Sequence, residues 1–255
     1  MDINLEFILK GKGSDVSSDF REPIIIPTEV YEARIGLKNF ATYNNIPNIE
    51  QNQNNQLKVK VPGHNYELFE LATGAYELSV IYEQLIEWLE VKYPDLKGVR
   101  ETFKLLGNDA TSKAEFIFKD DFGIDFNVKY SLSELLGFEK TKKIEGKGRY
   151  IGTTIVNIAR VTQLIFNCNV TDSNFINGQE VPFLYNCGID VPAGYRLARE
   201  ITDISYKKLT TSQLSTIRVW IVDQNGIPVN LRADDFIVTL SLHLRRLITP
   251  VSIEK

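Results

Sequence analysis

The chain is poor in the residues that most often carry chemistry. Its 255 residues include two histidines, two cysteines, two tryptophans and one methionine. His64 sits in "VPGHNYE" and His243 in "LSLHLRR", and neither has a His or Cys at metal-ligand spacing. Cys168 and Cys187 lie in "IFNCNV" and "LYNCGI". Two cysteines are not a disulfide framework, and they read as reduced, partly buried thiols, with a bridge between neighbouring strands as the alternative. No glycine-rich phosphate loop opens a helix, and no G-x-S-x-G elbow is present. The acidic pairs Asp120/Asp121 and Asp234/Asp235 fall at turns and supply too few oxygens for calcium. These absences point away from an enzyme, and no cofactor or metal site is expected.

Further absences bear on partners and location. Net charge is −4 at pH 7 and the pI is about 5.4, so no basic footprint for specific nucleic-acid binding is expected. The basic stretch "KTKKIEGKGR" (140–149) lacks the interleaved aromatics that stack bases, and it reads as a solvated linker. No apolar run approaches the ~18 residues of a membrane span, so membrane insertion is not expected. The start, "MDINLEFILKGKGSD", has no basic segment followed by an apolar one, so no signal peptide is expected. Synthesis in the cytoplasm follows, and the sequon Asn169-Val170-Thr171 is expected to stay unmodified.

What the sequence does contain is period-two alternation. Ile217, Val219 and Ile221 alternate with Arg218, Trp220 and Val222. Phe236, Val238, Leu240, Leu242 and Leu244 share one face of "DDFIVTLSLHL", leaving Thr239, Ser241 and His243 on the other. "DQNG" (223–226) is a hairpin signal, because Asn-Gly accepts positive φ. One helix of about 78–93 is predicted from the stripe Leu78, Ile81, Leu85 and Trp88/Leu89, closed by Pro94. A shorter one is predicted in "SLSELLGF" (131–138), with Ser131 and Glu134 as a capping box and Gly137 as C-terminal cap. "IEQNQNNQLK" (49–58) reads as a mobile surface loop, and "FEKTKKIEGKGRYIG" (138–152) as a domain boundary.

A shift of 103 residues places "SKAEFIFKDDFGIDFNV" (112–128) on "STIRVWIVDQNGIPVNL" (215–231). Phe116, Phe118, Asp120, Gly123 and Ile124 then match Val219, Ile221, Asp223, Gly226 and Ile227 with the alternation phase kept. Two β-hairpins can look alike without common descent; read as a duplication, the match implies two tandem antiparallel β-barrel or jelly-roll-like domains. These would span 1–145, which carries the helices, and 146–255. Many short strands with turn signals suit such folds.

Several stretches, in order, resemble a known family. They are "SDFREPIII", "YEARIGLKNFATYNNIPNI", "TGAYELSVIYEQL", "SLSELLGF", "VNIARVTQLIFNCNVTDSNFINGQEV", "VPAGYRL" and "TIRVWIVDQNGIPVNLRADDFIVTLSLHLR". Together they are similar to virion structural proteins of Polinton/Maverick elements, adintoviruses and virophage-like viruses. The resemblance implies a jelly-roll capsid component without catalytic residues or cofactors: a minor capsid, penton or spike-type protein in the virion. It would act as a homotrimer or homopentamer beside other capsid proteins. A receptor- or glycan-binding module, with Trp220 and Tyr185 stacking on a sugar, is the alternative, as is a domesticated interaction scaffold. Trp88, Arg218, Trp220, and Tyr43 and Ile46 of "YNNIPNI" are the candidate interface residues, since Trp and Arg anchor interfaces well.

Overall fold

The computed structural model describes residues 2–172, 174–176 and 178–247. In chain order, β1 (Ile3–Lys12), β2 (Asp15–Ile25) and β3 (Tyr31–Tyr43) come first. Next come β4 (Gln56–Lys60), β5 (Glu67–Glu70), α1 (Leu78–Lys92), α2 (Val99–Thr102), β6 (Phe103–Asn108), β7 (Lys113–Phe118), β8 (Gly123–Asp125), α3 (Ser133–Leu136), β9 (Lys143–Glu145) and β10 (Gly148–Ile151). The remaining strands are β11 (Gln163–Cys168), β12 (Asn174–Ile176), β13 (Gln179–Val181), β14 (Phe183–Gly188), β15 (Arg196–Glu200), β16 (Lys207–Lys208), β17 (Gln213–Val222) and β18 (Asp235–Arg246).

The chain divides into two units, Met1–Ile46 with Val161–Lys255, and Pro47–Arg160. Each has its own apolar core. In the first unit one antiparallel sheet runs β1-β18-β3-β15, with β16 also on β3, and the other runs β14-β11-β17-β2. Successive strands thus alternate between sheets except at β11 and β14 and at β15 and the short β16. That order is a jelly roll, two Greek keys folded into a sandwich. The inward alternate residues build its core: Phe236, Val238, Leu240 and Leu242 from β18, and Ile217, Val219 and Ile221 from β17. Phe166 meets Phe40 at 4.7 Å and Phe236 at 6.1 Å between ring centroids. Pro23, which cannot donate to a ladder, is tolerated because β2 is an edge strand.

The second unit contains the sheets β10-β7-β6 and β5-β4-β8-β9. Helix α1 buries Ile81, Leu85, Ile86 and Leu89, close to the expected stripe. The core is dense in phenylalanine: Phe103, Phe116, Phe118, Phe122, Phe126 and Phe138 touch one another, with Phe126 stacked on Phe138 at 4.9 Å. Offset and edge-on pairs of this kind add to the burial of their area.

The mainly β class and the jelly roll are as expected, but the chain is not cut at 145/146. That boundary falls between β9 and β10 of the second unit, and the jelly roll takes strands from both ends of the chain. The proposed repeat is not one of topology. β7 pairs with β6 and β10, and β8 lies in another sheet on β4 and β9. β17 pairs with β11 and β2, and its "DQNG" turn is followed by a lone bridge, Val222 to Pro228, rather than a second strand. Pro228 has no N–H to carry the ladder further.

Two stretches expected to be irregular are built parts of the second unit. The Asn-rich tract is a turn tied by its own amides. Asn54 Oδ1 accepts from the Glu50 N–H at 2.8 Å, and its Nδ2 donates to the Asn48 carbonyl at 2.8 Å. Asn55, 2% exposed, accepts from the Asn52 N–H at 3.1 Å and donates to the Leu71 carbonyl at 3.0 Å. Asn52 takes φ of 62°, a left-handed conformation that asparagine tolerates. The basic stretch forms β9 and β10, and some of its charges are paired: Arg149 grips Glu115 with two bonds of 2.8 Å, and Lys143 meets Glu145 at 3.1 Å. At "SLSELLGF", Gly137 caps α3 with φ of 74°, and a Cβ there would lie 2.4 Å from the Thr154 carbonyl oxygen. Ser131 makes no capping box; its hydroxyl accepts from the Ser133 N–H at 3.1 Å and donates to the Phe126 carbonyl at 2.8 Å.

Replacing Asn55 with Ala strands the buried Leu71 carbonyl and Asn52 N–H. It should cost about 1–3 kcal/mol of stability, measured by urea unfolding followed through tryptophan fluorescence; an unchanged midpoint would mean that water replaces the amide.

Candidate interaction surfaces

Alternation on β17 turns Arg218 and Trp220 to the outer face of its sheet, because Ile217, Val219 and Ile221 take the core. Trp220 stands across from Asp15 on β2 and Asn167 on β11. The Arg218 guanidinium bonds the Asp15 carboxylate, through Nε at 2.9 Å and through a second nitrogen, and lies 5.3 Å from the Trp220 ring centroid. The Arg218 bond holds the Asp15 carboxyl below its usual value. This exposed pair contributes little to stability. What it does is hold a half-buried indole and a guanidinium in fixed orientation on an open sheet face. Asn169, the sequon residue, is occupied here: its Nδ2 donates to the Thr216 carbonyl at 3.2 Å and its Oδ1 accepts from the Arg218 N–H at 2.8 Å.

The other candidates lie elsewhere. Trp88 is half-buried on α1 of the second unit, 5.5 Å from Phe69 and 6.2 Å from Tyr93, with Lys92 5.2 Å above its ring. It lines a shallow groove with Phe69, Leu71, Ala72 and Val91, the last 84% exposed. Tyr43 ends β3 opposite Arg196 and is exposed. Ile46 is packed against the jelly-roll core. Tyr185 leans toward Phe166 of the core, so it does not join Trp220 on the outer face.

Sequence reasoning passed over one apolar surface. Ile3, Leu5, Ile25, Val30 and Leu247 are all exposed. They cluster at the end of the jelly roll where β1 and β3 begin and β2 and β18 finish: Ile3 pairs with Leu244, and the Leu247 N–H donates to the Val30 carbonyl. The signal was the run Ile24-Ile25-Ile26. Consecutive residues of an extended chain point to opposite faces, so one of the three must face out.

Neither histidine has metal-ligand company, and no group of three or more His, Cys, Asp or Glu side chains among the described residues could hold a metal. His64 packs on Tyr93 at 4.9 Å, and His243 meets Asn4 at 2.7 Å. Cys168 and Cys187 are free and buried, and burial pushes both thiols up to about 11. No described helix is long and apolar enough to cross a membrane.

The class that the fold defines is an eight-stranded jelly roll carrying a second unit between its third and fourth strands. No protein-family model matches the chain, and no curated protein is detectably similar in sequence. Among solved structures, the selenomethionine-labelled mavirus penton protein is similar, with a TM-score of 0.50 at 10% identity. The match covers 96% of this chain and 100% of that one, so the shared fold is that of the whole molecule.

Charge pairing in the second unit gives a pH signature. Lys60 bonds both Glu145 at 2.5 Å and Asp121 at 3.0 Å, and Lys60 with Lys143 holds the Glu145 carboxyl down at about 2, against an ordinary 4.5. A lowered carboxyl contributes stability that is present above its unfolded value and lost as pH falls through its folded value. Thermal midpoints should therefore fall between pH 4.5 and about 2, and Lys60→Met should flatten that fall; an equal slope in the variant would remove this pair from acid stability.

Proposed function

We propose that the chain is a virion structural protein of penton type, acting by self-association and surface presentation rather than by turnover. The observation that carries this reading is the whole-length likeness to the mavirus penton protein, within a single jelly roll. Several features support it. The candidate surface residues are anchors, Trp and Arg, not an acid, a base and a nucleophile. Apolar side chains remain exposed at one end of the jelly roll, where a neighbour would cover them.

Barrel count supports a choice of copy number. Two barrels per chain would suit a trimer with a six-fold outline. One jelly roll per chain suits a ring of five at a vertex, with one interface repeated by rotation. Other capsid proteins would surround that ring, and the inserted unit or the outer sheet face would meet a host receptor. The location is the virion, with no role for a cofactor.

Light scattering on a sizing column tests this directly. A species near five times 29.1 kDa supports the penton reading, and one near three times keeps self-assembly but replaces the number. A 29.1 kDa monomer at every concentration overturns it. In the oligomer, Trp220→Ala should lower the mass while leaving the monomer's circular dichroism and unfolding midpoint intact. Unchanged mass would remove Trp220 from the interface.

A further inference from the structure

An asparagine on the outer face of a sheet ordinarily meets water. Asn167 does not. It stands on the same face as Trp220, yet it is 4% exposed, and its neighbour two residues back, Ile165, is 6% exposed. A pocket of about 260 Å³ opens over these two residues. Among the described residues it is lined by Ile165, Asn167, Val222 and the turn Gln224–Gly226 on one side, and by Gln179 and Val181 of β13 on the other. β12 and β13 form the hairpin that supplies this second wall.

The side-chain oxygen of Asn167, Oδ1, is buried and has no hydrogen-bond partner. Leaving such an acceptor unpaired costs about 1–3 kcal/mol. The fold gains nothing from it that a leucine of similar shape would not supply better. Nothing else in β11 requires a polar group there, since Leu164, Phe166 and Cys168 all face the core. The polar atom is therefore explained by something that enters the pocket.

The lining defines that ligand's chemistry. No charged side chain is among the described lining residues. A phosphate or carboxylate would lose its hydration with no cation in return. The polar side chains are carboxamides, a group with a donor and an acceptor that matches a hydroxyl able to give and take a hydrogen bond; the Gln224 oxygen already accepts from the Thr162 N–H at 3.1 Å, which leaves Asn167, Gln179 and Asn225 for the ligand. The apolar groups, Ile165, Val181 and Val222, suit the C–H face of a ring. The volume is below the ~300–1,000 Å³ of sites for larger ligands, so one ring fills it. The oxygen itself is covered, so binding requires a turn about the soft amide torsion of asparagine to present it to the pocket. We propose that this pocket binds a single uncharged, hydroxyl-bearing ring, one sugar residue of a glycan, with Asn167 as the polar anchor. The proposal is independent of the assembly state, and the pocket is distinct from the Trp220 and Arg218 side chains, which do not line it.

Saturation-transfer NMR on the full chain tests the proposal, with glucose, galactose, mannose and N-acetylglucosamine as probes; inorganic phosphate, which has no carbon-bound protons to receive saturation, is the charged control and is followed by its phosphorus-31 linewidth. At least one sugar should receive saturation, at the millimolar affinity a small ring can reach, and phosphate should show no binding. Asn167→Leu should fold with an equal or higher thermal midpoint and weaken the sugar several-fold. Val181→Glu, which puts a charge into the opposite wall, should abolish binding while the circular dichroism is kept. Silence from every sugar, or equal transfer in Asn167→Leu, would overturn the proposal, the pocket then holding solvent alone. Phosphate binding in place of sugar would overturn it too.

Discussion

The second unit can sit inside a jelly roll only if its two ends close on each other, and Asn48 enforces that closure. Its Nδ2 donates to the Tyr76 carbonyl at 2.7 Å and to the Ile158 carbonyl at 3.2 Å, while its Oδ1 accepts from the Tyr76 N–H at 2.8 Å. The entering chain at 48–49 is also laddered to Gly74. One buried amide therefore joins the first residues of the unit, its middle and its last residues. An inserted chain free to wander would charge the jelly roll a closure entropy that grows with its length. Folded on itself with joined ends, it behaves as a short connection between β3 and β11.

The same device recurs in the Asn-rich turn that follows, where Asn54 and Asn55 complete backbone bonds that regular structure would otherwise supply. That is why composition misleads there. Asparagine is common in loose loops, but it also replaces peptide groups in tight ones. Whether its amides face water or backbone depends on partners such as Leu71, which lies beyond the local window. The basic stretch 138–152 fails for a related reason. The stretch looks like a solvated linker until other strands bring Glu115 of β7 beside Arg149 and Lys60 of β4 beside Glu145.

The legible parts were those fixed by local periodicity. The faces of β17 and β18, the stripe of α1 and the Gly137 cap follow from side-chain spacing and from a left-handed turn that only glycine enters freely. Strand partners are not local, so two stretches with the same alternation read as copies of one unit although their sheets differ. The candidate surface divides in the same way. Arg218 and Trp220 could be read as outward-facing, since every second residue of β17 is buried. Asn167 could not, because the hairpin that encloses it is a remote covering.

The pairing of Ile3 with Leu244 places the first strand of the jelly roll beside its last. During synthesis β1 leaves the ribosome long before β18 exists, so it must wait with Phe7 and Leu9 uncovered. The inserted unit has no such delay, because all its partners lie between Pro47 and Arg160. The nascent chain therefore carries a finished module in the middle of an unfinished one. Such a module pairs its own strands before the later ones arrive, so fewer unpaired edges are open to neighbouring copies.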